Sequence, residues 1–145
     1  MAKKLEVTPE IILHATEDSR KVFERIFDLF QIKEGEFSQE KILGYYGNPI
    51  LLAKTTLTKK RAEDFVRNLV SRIPKSQMDE ILDNIHMYLE DSSLFLRIGK
   101  GDLVKGIVNL QQDEAIKIRI KVPIYKKSEL AKEYIELLSL ICKSF

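Results

Sequence analysis

The clearest pattern in the chain is the alternation of Ile116, Ile118, Ile120 and Val122 with Lys117, Arg119 and Lys121. Strict period two predicts a strand with one buried face and one cationic face, ended by Pro123. Leu94, Leu96 and Ile98 alternate with Phe95 and Arg97 in the same way and predict a second strand. Gly99-Lys100-Gly101-Asp102 then reads as a turn, and Leu103 to Leu110 as the returning strand. Nearer the start, Lys41-Ile42-Leu43 and Ile50-Leu51-Leu52-Ala53 flank Gly44-Tyr45-Tyr46-Gly47-Asn48-Pro49. This predicts a hairpin in which Gly47 and Asn48 take positive φ and Pro49 opens the second strand, which runs to about Leu57. Gly44 marks a bulge or a close backbone approach. A first strand lies within Glu6 to Thr16 around Ile11-Ile12-Leu13, and Pro9 restricts it to an edge or to a start beyond that residue.

The helical periodicities fall between these strands. Thr16-Glu17-Asp18 supplies a capping hydroxyl and two carboxylates for a helix whose apolar stripe is Val22, Phe23, Ile26, Phe27 and Phe30. Thr58 caps a second helix with Ala62, Phe65, Val66, Leu69 and Ile73 inward, ended by Pro74. Ser76 with Asp79 resembles a capping box for a third, with the stripe Ile81, Leu82, Ile85 and Leu89. Asp91-Ser92-Ser93 is a turn. Lys127 to Lys143 is a last helix, with Leu130, Ala131, Tyr134, Leu137, Leu138 and Ile141 inward. The order β-α-β-β-α-α-β-β-β-α predicts an α+β fold over residues 1–145: a two-layer sandwich, a largely antiparallel sheet with helices on one face.

Composition narrows the function classes. A 44% hydrophobic and 32% charged chain suits one globular domain. No apolar run reaches the roughly 18 residues of a membrane span, and Met1-Ala2-Lys3-Lys4 opens no secretion signal, so a cytoplasmic location is expected. Cys142 is the single cysteine and reads as a small buried side chain in the last helix. His14 and His86 have no metal-ligand spacing to each other or to it. With no phosphate loop, nucleophile elbow or paired carboxylates, neither an enzyme nor a cofactor or metal is expected.

Charge changes the picture more. Residues 97 to 127 carry eight basic residues against three acidic ones, whereas the rest of the chain is net acidic. If the polar faces of the two alternating strands coincide, Arg97, Lys117, Arg119 and Lys121 form a cationic strip with Phe95 on it. Phosphates would meet the charges and a base could stack on the ring. A solvated outer face kept charged for solubility gives the same alternation. The adjacent Tyr45 and Tyr46 point to opposite faces of a strand, so one of them meets solvent or a partner.

The segments His14-Ala15-Thr16-Glu17-Asp18, Lys21-Val22, Gly44 to Ile50 and Leu94 to Ile98, in that order, resemble an archaeal family of small RNA-binding proteins described as exosome-associated subunits. The resemblance runs from about residue 6 to residue 126. It implies a fold similar to the large-subunit ribosomal protein that binds 5S RNA, and RNA binding without catalysis. It singles out Tyr45, Tyr46, Gly47, Asn48 and Pro49 at the first turn, and Arg97 and Lys100 around the later one. The chain departs from the family pattern with tyrosines where a histidine is expected, and with Gly99 where an acidic residue is expected.

The expected function is contact with structured RNA through Arg97, Lys100, Lys117, Arg119 and Lys121 on phosphate, with Phe95, Tyr45, Tyr46 and Asn48 on base or sugar. RNA-processing or ribosomal proteins and a homodimer are further expected partners. The alternative is a protein-interaction module, marked by an apolar outer face around Tyr45, Tyr46 and Phe95.

Overall fold

The computed structural model describes residues 4–44, 46–123 and 127–142; Tyr45 and the side chain of Cys142 lie outside what it describes. The strands are β1 (Glu6–His14), β2 (Ser38–Leu43), β3 (Pro49–Lys54), β4 (Leu57–Thr58), β5 (Leu89–Glu90), β6 (Ser93–Gly99) and β7 (Ala115–Lys121). The helices are α1 (Ser19–Phe30), α2 (Lys59–Arg72), α3 (Lys75–Asp83), α4 (Lys100–Val104) and α5 (Leu130–Cys142). The strands form one open antiparallel sheet in the order β2-β3-β1-β7-β6-β5, with β4 beside the first residues of β1. The α+β class and the antiparallel sheet are as the alternation predicted.

One face of the sheet is buried. Val7, Ile11 and Leu13 of β1, Leu94, Leu96 and Ile98 of β6, and Ile116, Ile118 and Ile120 of β7 are at most 3% exposed. They join one core with Phe23, Ile26 and Phe30 of α1, Phe65, Val66 and Leu69 of α2, and Leu138 of α5. Phe30 packs on Phe65 with ring centroids 4.8 Å apart, and Phe23 meets Phe37 edge-on at 5.3 Å. Tyr134 anchors α5: its hydroxyl donates toward the Ser92 carbonyl at 2.8 Å, with the Ile120 carbonyl at 3.2 Å, and accepts from the Val122 N–H at 3.3 Å. Burial raises the pKa of this phenol, so it stays a donor.

Several local expectations are corrected. Pro9 sits inside a central strand, opposite Ile118 of β7. Its carbonyl accepts from Thr55 N–H across the break between β3 and β4, so the N–H it lacks falls in that break and costs the ladder nothing. Residues 103 to 110 are not a strand. Gly99 leads straight into the helical turn α4, and Gly106 ends it at φ 83, its N–H bonded to the Leu103 carbonyl. Only the bridge Ile98–Leu110 joins that segment to the sheet. Asp18, not Thr16, caps α1, its Oδ1 accepting from Lys21 N–H at 3.3 Å.

Thr58 occupies the cap position of α2 without a side-chain bond, and α3 starts at Lys75 behind Pro74 rather than from a Ser76–Asp79 box. α3 ends at Asp83, before Ile85 and Leu89 of its expected stripe, which fall in a 3-10 turn and in β5. Phe27, assigned to the core stripe of α1, is 41% exposed.

A candidate nucleic-acid interface on the open face of the sheet

β6 and β7 pair in the register Phe95–Arg119 and Arg97–Lys117, flanked by Leu94–Ile120, Leu96–Ile118 and Ile98–Ile116. Cross-strand neighbours share a face, so the isoleucine and leucine rows go inward and Phe95, Arg97, Lys117 and Arg119 stand together on the outer face. Lys121 follows on the same side and is exposed. The two polar faces therefore coincide. Lys117 Nζ lies 4.7 Å from the centroid of the Phe95 ring, a cation–π contact that covers one face of the aromatic. Arg119 Nε donates to Ser93 Oγ at 3.0 Å, which fixes the guanidinium against a serine that is itself fully buried.

The sequence showed no acid between Lys117 and Lys121, but β1 supplies two. Its register places Glu10 opposite Lys117 and Glu6 opposite Lys121, with Thr8 opposite Arg119. The strip is thus bounded by carboxylates on its β1 side, and its cationic path runs along β6 and β7. Beside it lies a groove of about 360 Å³, lined in part by Ile12, His14, Arg97, Lys117 and Glu114.

Lys100 does not belong to the strip. It is 4% exposed, and its ammonium reaches the Ile12 carbonyl at 2.6 Å, Glu17 Oε1 at 2.8 Å and Glu114 Oε2 at 3.5 Å. Two hydrogen bonds and an ion pair hold the buried ammonium inside the fold, away from the open face where phosphate would bind. The expected phosphate role for Lys100 is corrected to a structural one: it ties β1, the loop before α1 and the loop before β7 together. Burial pushes the Glu17 carboxyl up, but the Lys100 hydrogen bond, the His14 N–H and the nearby charges outweigh it and hold the pKa below 4.5. His14, Glu17 and Glu114 bring ligand atoms within 4.8 Å of one another, yet the Lys100 ammonium already supplies the cation those carboxylates need.

The hairpin is a separate place. Gly44 N–H donates to the Asn48 carbonyl at 2.7 Å and Gly47, at φ 78, donates back to the Gly44 carbonyl at 2.9 Å. The turn thus lies between Gly44 and Asn48, with Gly47 at positive φ and Asn48 not. A Cβ on Gly44 would stand 2.7 Å from Ile50 Cδ1, the movable end of a side chain, and 3.3 Å from the Asn48 carbonyl oxygen, so the turn packs closely here. Tyr46 is 85% exposed, and Asn48 is exposed beside it. From the Arg97–Lys117 row the tip is two strands across and about six residues along, roughly 20 Å. The fold therefore brings Phe95, Arg97, Lys117, Arg119 and Lys121 together and leaves Tyr46 and Asn48 apart from them.

The sheet thus carries its apolar core rows on one face of β1, β6 and β7 and a cationic row with an aromatic on the other, the kind of surface a nucleic-acid-binding protein can present. A family model described as RNA binding matches residues 6–122, and the chain belongs to that RNA-binding family. An RNA-binding protein of Pyrococcus abyssi is 30% identical over 144 residues, covering 91% of this chain and 94% of that one. The crystal structure of a DUF54 protein from Archaeoglobus fulgidus superposes with a TM-score of 0.81 at 29% identity, covering 93% of this chain and 99% of that one. A DUF54 protein from Methanothermobacter thermautotrophicus has a TM-score of 0.71 at 28% identity, over 93% of this chain and 98% of that one. Among the described residues no helix is long and apolar enough to cross a membrane.

Proposed function

We propose that the outer face of β6 and β7 is the surface through which this protein contacts structured RNA, by binding alone and without catalysis. The observation that carries the reading is the register that sets Arg97 beside Lys117 and Phe95 beside Arg119 on the face that, among the described residues, lies opposite the helix-packed core. Arg97, Lys117, Arg119 and Lys121 neutralise phosphates along the two strands. Phe95, one side covered by Lys117, offers its remaining face and edge to a base or sugar. Phosphate contacts position a ligand without reading its sequence, so shape governs selectivity more than base identity. The hairpin tip at Tyr46 and Asn48 makes a second, outlying contact, which an RNA element at least about 20 Å long would reach from the strip. Action in the cytoplasm, within an RNA-processing or ribosomal assembly, accords with this reading and with the RNA-binding name of the Pyrococcus relative.

The test is binding of the purified protein to a structured RNA and to duplex DNA across a salt series. Tighter binding to the RNA that weakens steeply with salt is the expected result. Absence of RNA binding at low salt would overturn it.

A further inference from the structure

The two edges of the sheet differ. β5 is two residues long, whereas β2 presents six residues, every one of them exposed. Short edges are protected edges; long exposed ones pair. The Gly44–Asn48 bond continues the β2–β3 register, so the backbone of Ile42 and Glu40 faces β3 and that of Gln39, Lys41 and Leu43 faces outward. Among the described residues nothing pairs with that outward edge. Around it lie apolar side chains no helix covers: Ile12 at 42%, Ile42 at 41% and Leu43 at 77% exposed, with Ile50 and Leu52 half-buried beside them.

We propose that β2 is the homodimer interface of this protein, pairing antiparallel with β2 of a second copy about a two-fold axis through Ile42. The choice of occupant and register follows from the residues. A two-fold axis perpendicular to the sheet puts each residue opposite one of the same face and one residue opposite itself. Centred on Glu40 or Lys41, the pairing sets like charges against each other. Centred on Gln39, it leaves Ile42 and Leu43 beyond the partner strand. Centred on Ile42, it sets Ile42 against the partner's Ile42 and Lys41 against the partner's Leu43, with no like charges opposed. The two Lys41–Leu43 pairs exchange four backbone hydrogen bonds, satisfying outward groups of both edges. On the outer face the row His14–Ile50–Ile42 continues into the partner's Ile42, Ile50 and His14, giving four isoleucines in line. The joined sheet carries both cationic strips on the same side.

An interface of two short strands is small, so association is expected at about 10 to 100 µM. The test is sedimentation equilibrium of the full chain over a range spanning those concentrations, with Ile42→Lys and Ile42→Cys beside the unaltered chain. The expected result is a monomer–dimer equilibrium that Ile42→Lys weakens at least about tenfold, by setting lysine against lysine, with unchanged circular dichroism. Residues facing each other at such a non-hydrogen-bonded position come within disulfide reach. Ile42→Cys is therefore expected to form oxidised dimer beyond any formed through Cys142 alone. A chain that stays monomeric throughout, a dimer untouched by Ile42→Lys, or no added cross-link would overturn the proposal.

Discussion

Lys100 and Lys117 are both lysines next to the same sheet, and they do opposite things. Lys100 follows β6, turns inward, donates to one carbonyl and one carboxylate, and is ion-paired with a second carboxylate. Lys117 sits mid-strand on β7, lies over an aromatic ring and keeps its ammonium on the open face. The first cation holds the fold together and the second is available to a ligand. Charge count along the chain treats them alike. What separates them is whether acidic partners arrive from distant parts of the chain, and Glu17 lies 83 residues away from Lys100.

That contrast is broken most strongly at the buried site. Lys100→Met should cost about 3 kcal/mol, because it leaves the part-buried Ile12 carbonyl and the half-buried Glu17 carboxylate without their cation. Water can reach Glu17 and Glu114, which sets the loss at the lower end for buried pairs. Urea unfolding would show it, and RNA affinity of the folded fraction should stay within about twofold if Lys100 has no ligand role.

Next in size is Tyr134→Phe, which deletes the hydroxyl shared by Ser92, Ile120 and Val122 and should cost about 1 to 2 kcal/mol. Because these backbone groups border the cationic strip, thermal melting and RNA binding should be measured on the same variant.

A smaller effect is the acid limb of stability. Glu17 has a folded pKa below its ordinary 4.5, as does Glu36, where the Arg61 hydrogen bond is the leading cause. Their stabilisation is fully present above about pH 4.5 and is lost as pH falls through the lower folded values. Unfolding measured from pH 7 to pH 3 should show that loss, and Lys100→Met should make it shallower by removing the Glu17 contribution. Arg61→Gln is the smallest case. Its pair with Glu36 is partly exposed, and the expected cost is about 0.5 kcal/mol.

The strands that alternate strictly were legible because a period of two is set locally: β6 and β7 stand where Leu94 and Ile118 placed them, and the β2–β3 hairpin starts its second strand at Pro49 but ends it at Lys54, short of the expected Leu57. Legibility failed where the deciding partner was remote. Pro9 argued for an edge until the break between β3 and β4 supplied a place for its missing N–H. Leu103 to Leu110 carried enough apolar residues for a strand, but Gly106 and the Asp102 carbonyl, which accepts from Lys105 and Ile107, closed it into a helical turn instead. For the site, the coincidence of the Phe95 and Lys117 faces could be stated only as a condition, since register is a property of two strands. Glu6 and Glu10, which border the strip, lie more than a hundred residues from the lysines they face, and nothing local announces them.

The most direct measurement is the salt dependence of RNA binding by a variant combining Arg97→Ala, Arg119→Ala and Lys121→Ala, run beside the unaltered chain. If the outer face of β6 and β7 meets phosphate, the triple variant should bind more weakly, with the slope of log affinity against log salt flattened by about two to three. An unchanged slope in a correctly folded triple variant would contradict the account and place the RNA contact elsewhere on the molecule.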